Sequence, residues 1–294
     1  MLTHLNFNTT PKRVVVLGAQ GFVGSEICRQ LSRDNINFLG VSRQQLNLLD
    51  DNAADKLQSI LKPEDALVVV SAIAPCKTNL QLIDNLRMMQ HVCAALEKIA
   101  LSHVVYISSD AVYSDAANPV TEASSVEPTS LHGMMHAARE LMLKVSLNNK
   151  VPLAILRPSL LYGLKDPHNG YGPNRFRRLV SENKMITLFG GGEEKRDHIY
   201  IKNVAEIVKL TLLHRSVGIL NIATGESLSF FEVADCVIKE MESNVLIQTT
   251  PRQNPITHRH FDILNCHKAF PDFRYTSFKI GIREILNEEA GVHA

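Results

Sequence analysis

The chain has 294 residues, 45% hydrophobic and 21% charged, which suits one large α/β domain or a core domain with a smaller partner. Lys+Arg 31 against Asp+Glu 30, with no basic block, argues against nucleic acid or an anionic membrane as partner. No apolar run approaches ~20 residues and the first residues, MLTHLNFNTTP, carry no basic n-region before an apolar segment, so neither a membrane span nor a signal peptide is expected.

Strand-length apolar runs alternate with helical stretches. VVVLG (14–18) is a predicted strand, 22–33 a helix, FLGVS (38–42) a strand and 51–61 a helix. ALVVVSA (66–72) is followed by a long helix over 80–99, with Leu82, Leu86, Met89, Val92, Cys93 and Leu96 at helical spacing. Then come strand 103–109, helix 132–147 and strand 152–159. Continuous apolar strands of this kind imply a parallel sheet covered on both faces, with right-handed crossovers. After Tyr162 the segment 163–174 reads as a loop, 175–183 as a helix, and glycine and charge at 190–197 predict a turn. Helix 203–214 and strand 218–223 return to the sheet. The stretch TGESLSFFEVADCVIKEM opens with Thr and Ser where helix caps belong, and the tail reads as short strands and turns. Cys28, Cys76, Cys93, Cys236 and Cys266 form no CxxC and read as reduced thiols of a cytoplasmic protein. Cys76 stands apart because it follows a predicted strand.

Gly18, Gly21 and Gly24 stand directly after a strand and open a helix. The first glycine permits the tight turn, and the second lets backbone approach a pyrophosphate at the helix N-terminus. The spacing is GxxGxxG, and its strand–turn–helix setting gives it weight. The expected fold class is therefore α/β, a Rossmann-type doubly wound parallel sheet over 1–162, completed by about 199–224. A smaller C-terminal substrate-binding domain is expected from 163–198 and 225–294. At the end of the second strand Ser42 and Arg43 replace the usual acid, which favours NADP, with NAD possible. Asp50 is placed to accept from an adenine amino group. Gln20, Phe22, Val23 and Leu49 add to the expected cofactor contacts. Gln20 and Phe22, like Met134 and Met135, also read as packing residues.

From Lys12 to Glu288 the chain resembles the extended short-chain dehydrogenase/reductases, the NAD-dependent epimerase/dehydratase family acting on nucleotide sugars. The matching segments, in order, are SAIA (71–74), Asn85, YISSDAVY (106–113), LRPSLLYG (156–163), LFGGGEEKRDHIYIKNVA (188–205) and NIATGESLSFFEVAD (221–235). The resemblance implies hydride exchange between a nicotinamide and a sugar carbon, with Ser109 at the place of the oxyanion-binding Ser/Thr and Asp110 after it. The family's dehydratases carry Asp-Glu there; Asp110-Ala111 disfavours that reaction. The same resemblance implies Ala72, Ile73, Ala74 and Pro158 as further cofactor contacts. Arg196 and Asn174 match residues that bind the nucleotide diphosphate, and Phe189 the wall beside it. Asn203 departs from the family's Asp. Pairing of the helices near 80–99 and 132–147 into a four-helix bundle implies a homodimer.

The family's Tyr-x-x-x-Lys is missing, and His132 and His136 stand in its place. His132 can serve as acid/base, since imidazole titrates near neutrality. Alternatively Tyr113, Tyr162, Tyr171 or Asp110 takes that part. The i,i+4 histidines can also be read as metal ligands, but no third ligand is evident and no metal is expected. In a fourth reading catalysis is lost, His136 merely holds the nicotinamide ribose, and the protein is a dinucleotide-binding sensor or scaffold. The preferred expectation is an NADPH-dependent 4-keto reductase of a nucleotide-activated sugar, with epimerisation close behind.

Overall fold

The computed structural model describes residues 1–292. The first half alternates strictly: β1 (Val14–Leu17), α1 (Phe22–Arg33), β2 (Phe38–Val41), α2 (Ala53–Ile60), β3 (Ala66–Val69), α3 (Asn79–Lys98), β4 (His103–Ile107), α4 (Leu131–Leu147) and β5 (Leu153–Pro158). The second half runs β6 (Leu160–Tyr162), α5 (Pro173–Ser181), β7 (Ile186–Phe189), β8 (Lys195–Tyr200), α6 (Ile201–Leu213) and β9 (Gly218–Ile222). It ends with β10 (Ser227–Ser229), α7 (Phe230–Glu240), β11 (Ile247–Thr250), α8 (Leu264–Ala269) and α9 (Phe278–Val292).

Six strands form one parallel sheet in the order β2-β1-β3-β4-β5-β9. Every residue of β1, β3 and β4 is buried, as uninterrupted apolar strands require when both faces are covered. One face packs Val15, Leu67 and Val104 against α2, α3 and α4; the other packs Val14, Val16 and Val105 against α1 and α6. Helix α3 starts with a capping box between Thr78 and Gln81. The chain leaves β1 for β2 on one side and returns to β3 on the other, so β1 marks the switch of direction where such sheets open a crevice.

Strands β10, β8 and β6 form a second sheet, and β11 pairs with β7 in a third. A separate apolar cluster joins them to α5, α7 and α9 through Phe176, Phe230, Val233 and Ile282. Two expectations need correction here. The predicted turn at 190–197 ends before Lys195, and Lys195–Asp197 open β8. Asp197 is tolerated inside that strand because Ser159, Thr224 and Gly225 all donate to its carboxylate. The tail is not only short strands and turns: it also contains α8 and the fifteen-residue α9. Gly281 and Gly291 lower the helix propensity of α9, and burial of Phe278, Ile282 and Ile285 overrides it.

Candidate active site

A cleft of about 650 Å³ opens above the carboxyl ends of the strands. Its floor starts at the glycine turn. Gly18 has φ +98°, and a Cβ there would lie 2.8 Å from the Ser71 backbone nitrogen; a Cβ on Gly24 would collide with the Gly18 carbonyl. Helix α1 then begins at Phe22 with no side-chain cap on Gly21. Its first N–H groups are left for an anion at the positive end of the helix. Gly18, Gln20, Gly21, Phe22 and Val23 line the cleft, while Gly24 lies beneath it. A backbone cradle with an uncapped helix start fits a dinucleotide pyrophosphate.

Across the cleft Ala72, Ile73 and Ala74 form a wall held by Asn85 of α3. The Asn85 amide accepts from Ile73 N at 2.9 Å and donates to Ile73 O at 3.0 Å. At the β2 end Ser42 O accepts from Gln45 N and Leu46 N in a tight turn. Arg43 is exposed on the rim and has no hydrogen-bond or ion-pair partner among the described residues. Leu49 lines the cleft. Asp50 does not; it accepts from Asn47 Nδ2 at 2.7 Å and pairs with Lys56 at 3.5 Å.

Ser109, Asp110, His132, His136 and Pro158 line the other end of the same cleft. Two features set the histidines. Gly133 lets α4 lie against the 3-10 turn Asp110–Val112, because a Cβ there would strike the Ala111 carbonyl. Buried Glu140 then fixes the helix to the sheet: Ser108 Oγ donates to it at 2.6 Å, and Arg157 Nε and Nη2 donate at 2.8 and 2.5 Å. His132 Nδ1 accepts from Cys76 N at 3.4 Å, and His136 Nδ1 lies 2.7 Å from Tyr106 Oη. The two rings meet edge to face at 4.8 Å. Burial lowers the pKa of both, with His168 adding to the effect on His132, and His132 and Arg139 adding to it on His136. Both shifts favour the neutral imidazole. Among the described residues no three His, Cys, Asp or Glu side chains gather as a metal would require.

Ser109 Oγ accepts from Ala111 N at 3.1 Å and donates to Asp110 Oδ1 at 3.4 Å; it is only half-buried, so that long contact can be exchanged for a substrate oxygen. Asp110 is gripped by Arg259, which donates to its carboxylate at 3.2 Å and to its carbonyl at 3.1 Å. Burial pushes the Asp110 carboxyl up, with Arg259 opposing. Of the tyrosines weighed as replacements, two are removed by the structure. Tyr113 is buried with its hydroxyl on Asn221 Oδ1, and Tyr162 is fully buried against Tyr200 and Phe278. Their apolar neighbours favour core positions. Only Tyr171 reaches the cleft.

The expected substrate residues are dispersed. Asn174 lines the cleft, but its amide accepts from Gly163 N at 3.1 Å and donates to Leu161 O at 3.4 Å. Phe189 is half exposed outside the lining and packs on Tyr171. Arg196 also lies outside it, held by Glu194, which Arg252 engages too at 3.1 Å, and by Thr257. Asn203, which departs from the family's Asp, donates to Thr276 Oγ1 at 3.1 Å and accepts from Thr276 N at 3.0 Å. Sequence reasoning missed Tyr106, Arg139, Glu140 and Arg259. Of these only Glu140 left a local signal, since it continues the four-residue repeat of His132 and His136 on one helix face.

The parallel sheet, the crevice at β1 and the glycine cradle define a dinucleotide-binding protein of the doubly wound class. The chain belongs to the NAD dependent epimerase/dehydratase family, whose model matches residues 14–223. It is 25% identical over 260 residues to the uncharacterized UDP-glucose epimerase YtcB of Bacillus subtilis, covering 76% of this chain and 81% of that one. Its fold matches the UDP-glucose 4-epimerase of Thermus thermophilus solved with NAD, with a TM-score of 0.83, 23% identity and 95% and 99% of the two chains covered. It matches equally a GDP-L-fucose synthetase from Naegleria fowleri bound to NADP, with a TM-score of 0.83 and 14% identity over 99% and 96%.

Proposed function

We propose that the protein is an NADPH-dependent reductase of a 4-keto nucleotide sugar. The observation that carries this reading is the shared cleft: the glycine cradle at one end, Ser109, His132 and His136 at the other. When bound, a nicotinamide would supply the hydride. Ser109 polarises the sugar carbonyl, and His132, once protonation of Nδ1 has displaced its 3.4 Å contact from Cys76 N, gives the proton from Nε2 to the forming alkoxide. His136 holds the cofactor in place of a lysine. Arg43, on the rim and without a partner among the described residues, suits a 2′-phosphate. Arg196 reaches the substrate diphosphate by exchanging Glu194 for it. Epimerisation is the second reading, favoured by relatives whose names are those of epimerases.

Further proposals concern the assembly. Leu80 and Ile83 on α3 and Met134, Leu141 and Val145 on α4 are exposed, and these helices pack side by side. Such an apolar patch supports a homodimer through these helices. Five free cysteines suit a reducing, cytoplasmic setting.

The test is a fluorescence titration with NADPH and NADH, followed by NADPH oxidation with a panel of 4-keto nucleotide sugars. Micromolar NADPH binding and oxidation with at least one sugar are expected. Because reduction needs the imidazolium of His132, whose pKa lies below 6.5, kcat should rise as the pH falls toward that pKa. No oxidation with any sugar rejects the reductase reading.

A further inference from the structure

Tyr106 on β4 is 1% exposed, and its hydroxyl has one polar neighbour among the described residues, His136 Nδ1 at 2.7 Å. A phenol carries one proton, while Nδ1 of imidazole can give or take one. If the ring donated, the phenol proton would be stranded in the apolar cluster that contains Leu67, Met89 and Leu143. A doubly protonated ring would strand it too. Only a hydroxyl that donates to Nδ1 leaves no buried donor unpaired. The ring's own proton then sits on Nε2, for which no protein partner exists among the described residues, and His136 lines the cleft.

The surroundings oppose a charge on this ring. Arg139 is fully buried, stands 5.4 Å from the Tyr106 ring centre and donates to Ser71 O at 2.7 Å and Asn85 Oδ1 at 3.5 Å. It has no carboxylate partner among the described residues. The His132 ring, itself an imidazole, packs edge to face against His136. The carboxylate one turn further along α4, Glu140, is taken by Arg157 and Ser108.

We infer that Tyr106 is a positioning residue whose hydroxyl fixes His136 as a neutral Nε2–H donor facing the cleft, which leaves proton transfer to His132. What that donor binds rests on the function proposed above; the tautomer belongs to the protein alone.

The test is two-bond 1H–15N correlation spectroscopy of the full-length protein labelled at histidine, with His132→Ala and His136→Ala to assign the two rings. His136 is expected as a single Nε2–H tautomer that does not titrate between pH 8 and 5.5. Tyr106→Phe should give mixed tautomers, move the titration upward and weaken NADPH binding about fivefold, the loss of roughly one hydrogen bond. An Nδ1–H tautomer in the wild type overturns the inference, as does an unchanged tautomer and titration in Tyr106→Phe. If that variant fails to fold, the wild-type spectrum decides alone. An Nε2–H spectrum in a protein that never oxidises NADPH rejects the reductase reading and supports this one.

Discussion

The two ends of the cleft are built by opposite means. The glycine end is made of backbone: Gly18, Gly21 and Gly24 work by having no side chain, and residues 12–60 contain no histidine. The histidine end is made of buried polar side chains, each placed by another. Tyr106 holds His136, and Glu140 holds α4 through Ser108 and Arg157. A backbone site fails through bulk. A side-chain site fails through protonation or the loss of one partner.

Acid should therefore loosen the elements that carry buried histidines: His103 at the start of β4 and His198 in β8, both outside the cleft lining, as well as His132 and His136 within it. His103 and His198 are buried with pKa values lowered to about 4, and His132 and His136 are also lowered. Unfolded imidazole binds its proton near 6.5, so between about 6.5 and 4 the unfolded state holds more protons. Stability is full above about 6.5 and is lost as the pH falls toward 4, on the order of 3 kcal/mol for each of His103 and His198. Hydrogen exchange at pH 5 should expose β4 and α4 before β1 and α1. Uniform opening of both would reject the comparison.

Arg157→Met isolates one strut. Breaking a buried pair leaves Glu140 charged without its partner, at a cost of about 3–5 kcal/mol. Denaturant unfolding measures it; a change below about 1 kcal/mol would mean that α4 is held by packing alone. Gly24→Val breaks the other end by bulk. It should weaken NADPH binding about 100-fold, or about 2.7 kcal/mol, while the pH profile of His136 stays as in the wild type. Unaltered affinity in a titration would reject the cradle as the dinucleotide site.

The same contrast governs what could be read from the sequence. The glycine turn is local, so strand, spacing and helix identify it without the rest of the chain. The sheet is equally legible, because short β-branched runs such as VVVL and ALVV, alternating with helical stretches, suit strands buried on both faces. The histidine end is assembled from separate segments. Tyr106 looks like one more apolar strand residue, and only the fold brings it to His136. Arg259 lies 149 residues from Asp110, and nothing local marks it. Helix α9 was hidden by its glycines, since its burial depends on Tyr162 and α7.

Arg43 offers the finest test, since it belongs to the glycine end yet acts through a side chain. It is exposed and pairs with nothing among the described residues, so its removal should cost the fold almost nothing. An exposed guanidinium on a phosphate is a charge-assisted contact screened by water, worth roughly tenfold in affinity, about 1.4 kcal/mol. Arg43→Ala should lose that factor for NADPH and none for NADH, and the NADPH loss should shrink as salt is raised. Equal effects on both cofactors would mean that Arg43 meets only what they share. The NADP preference would then fall, and epimerisation on a retained NAD would become the better account of the cleft.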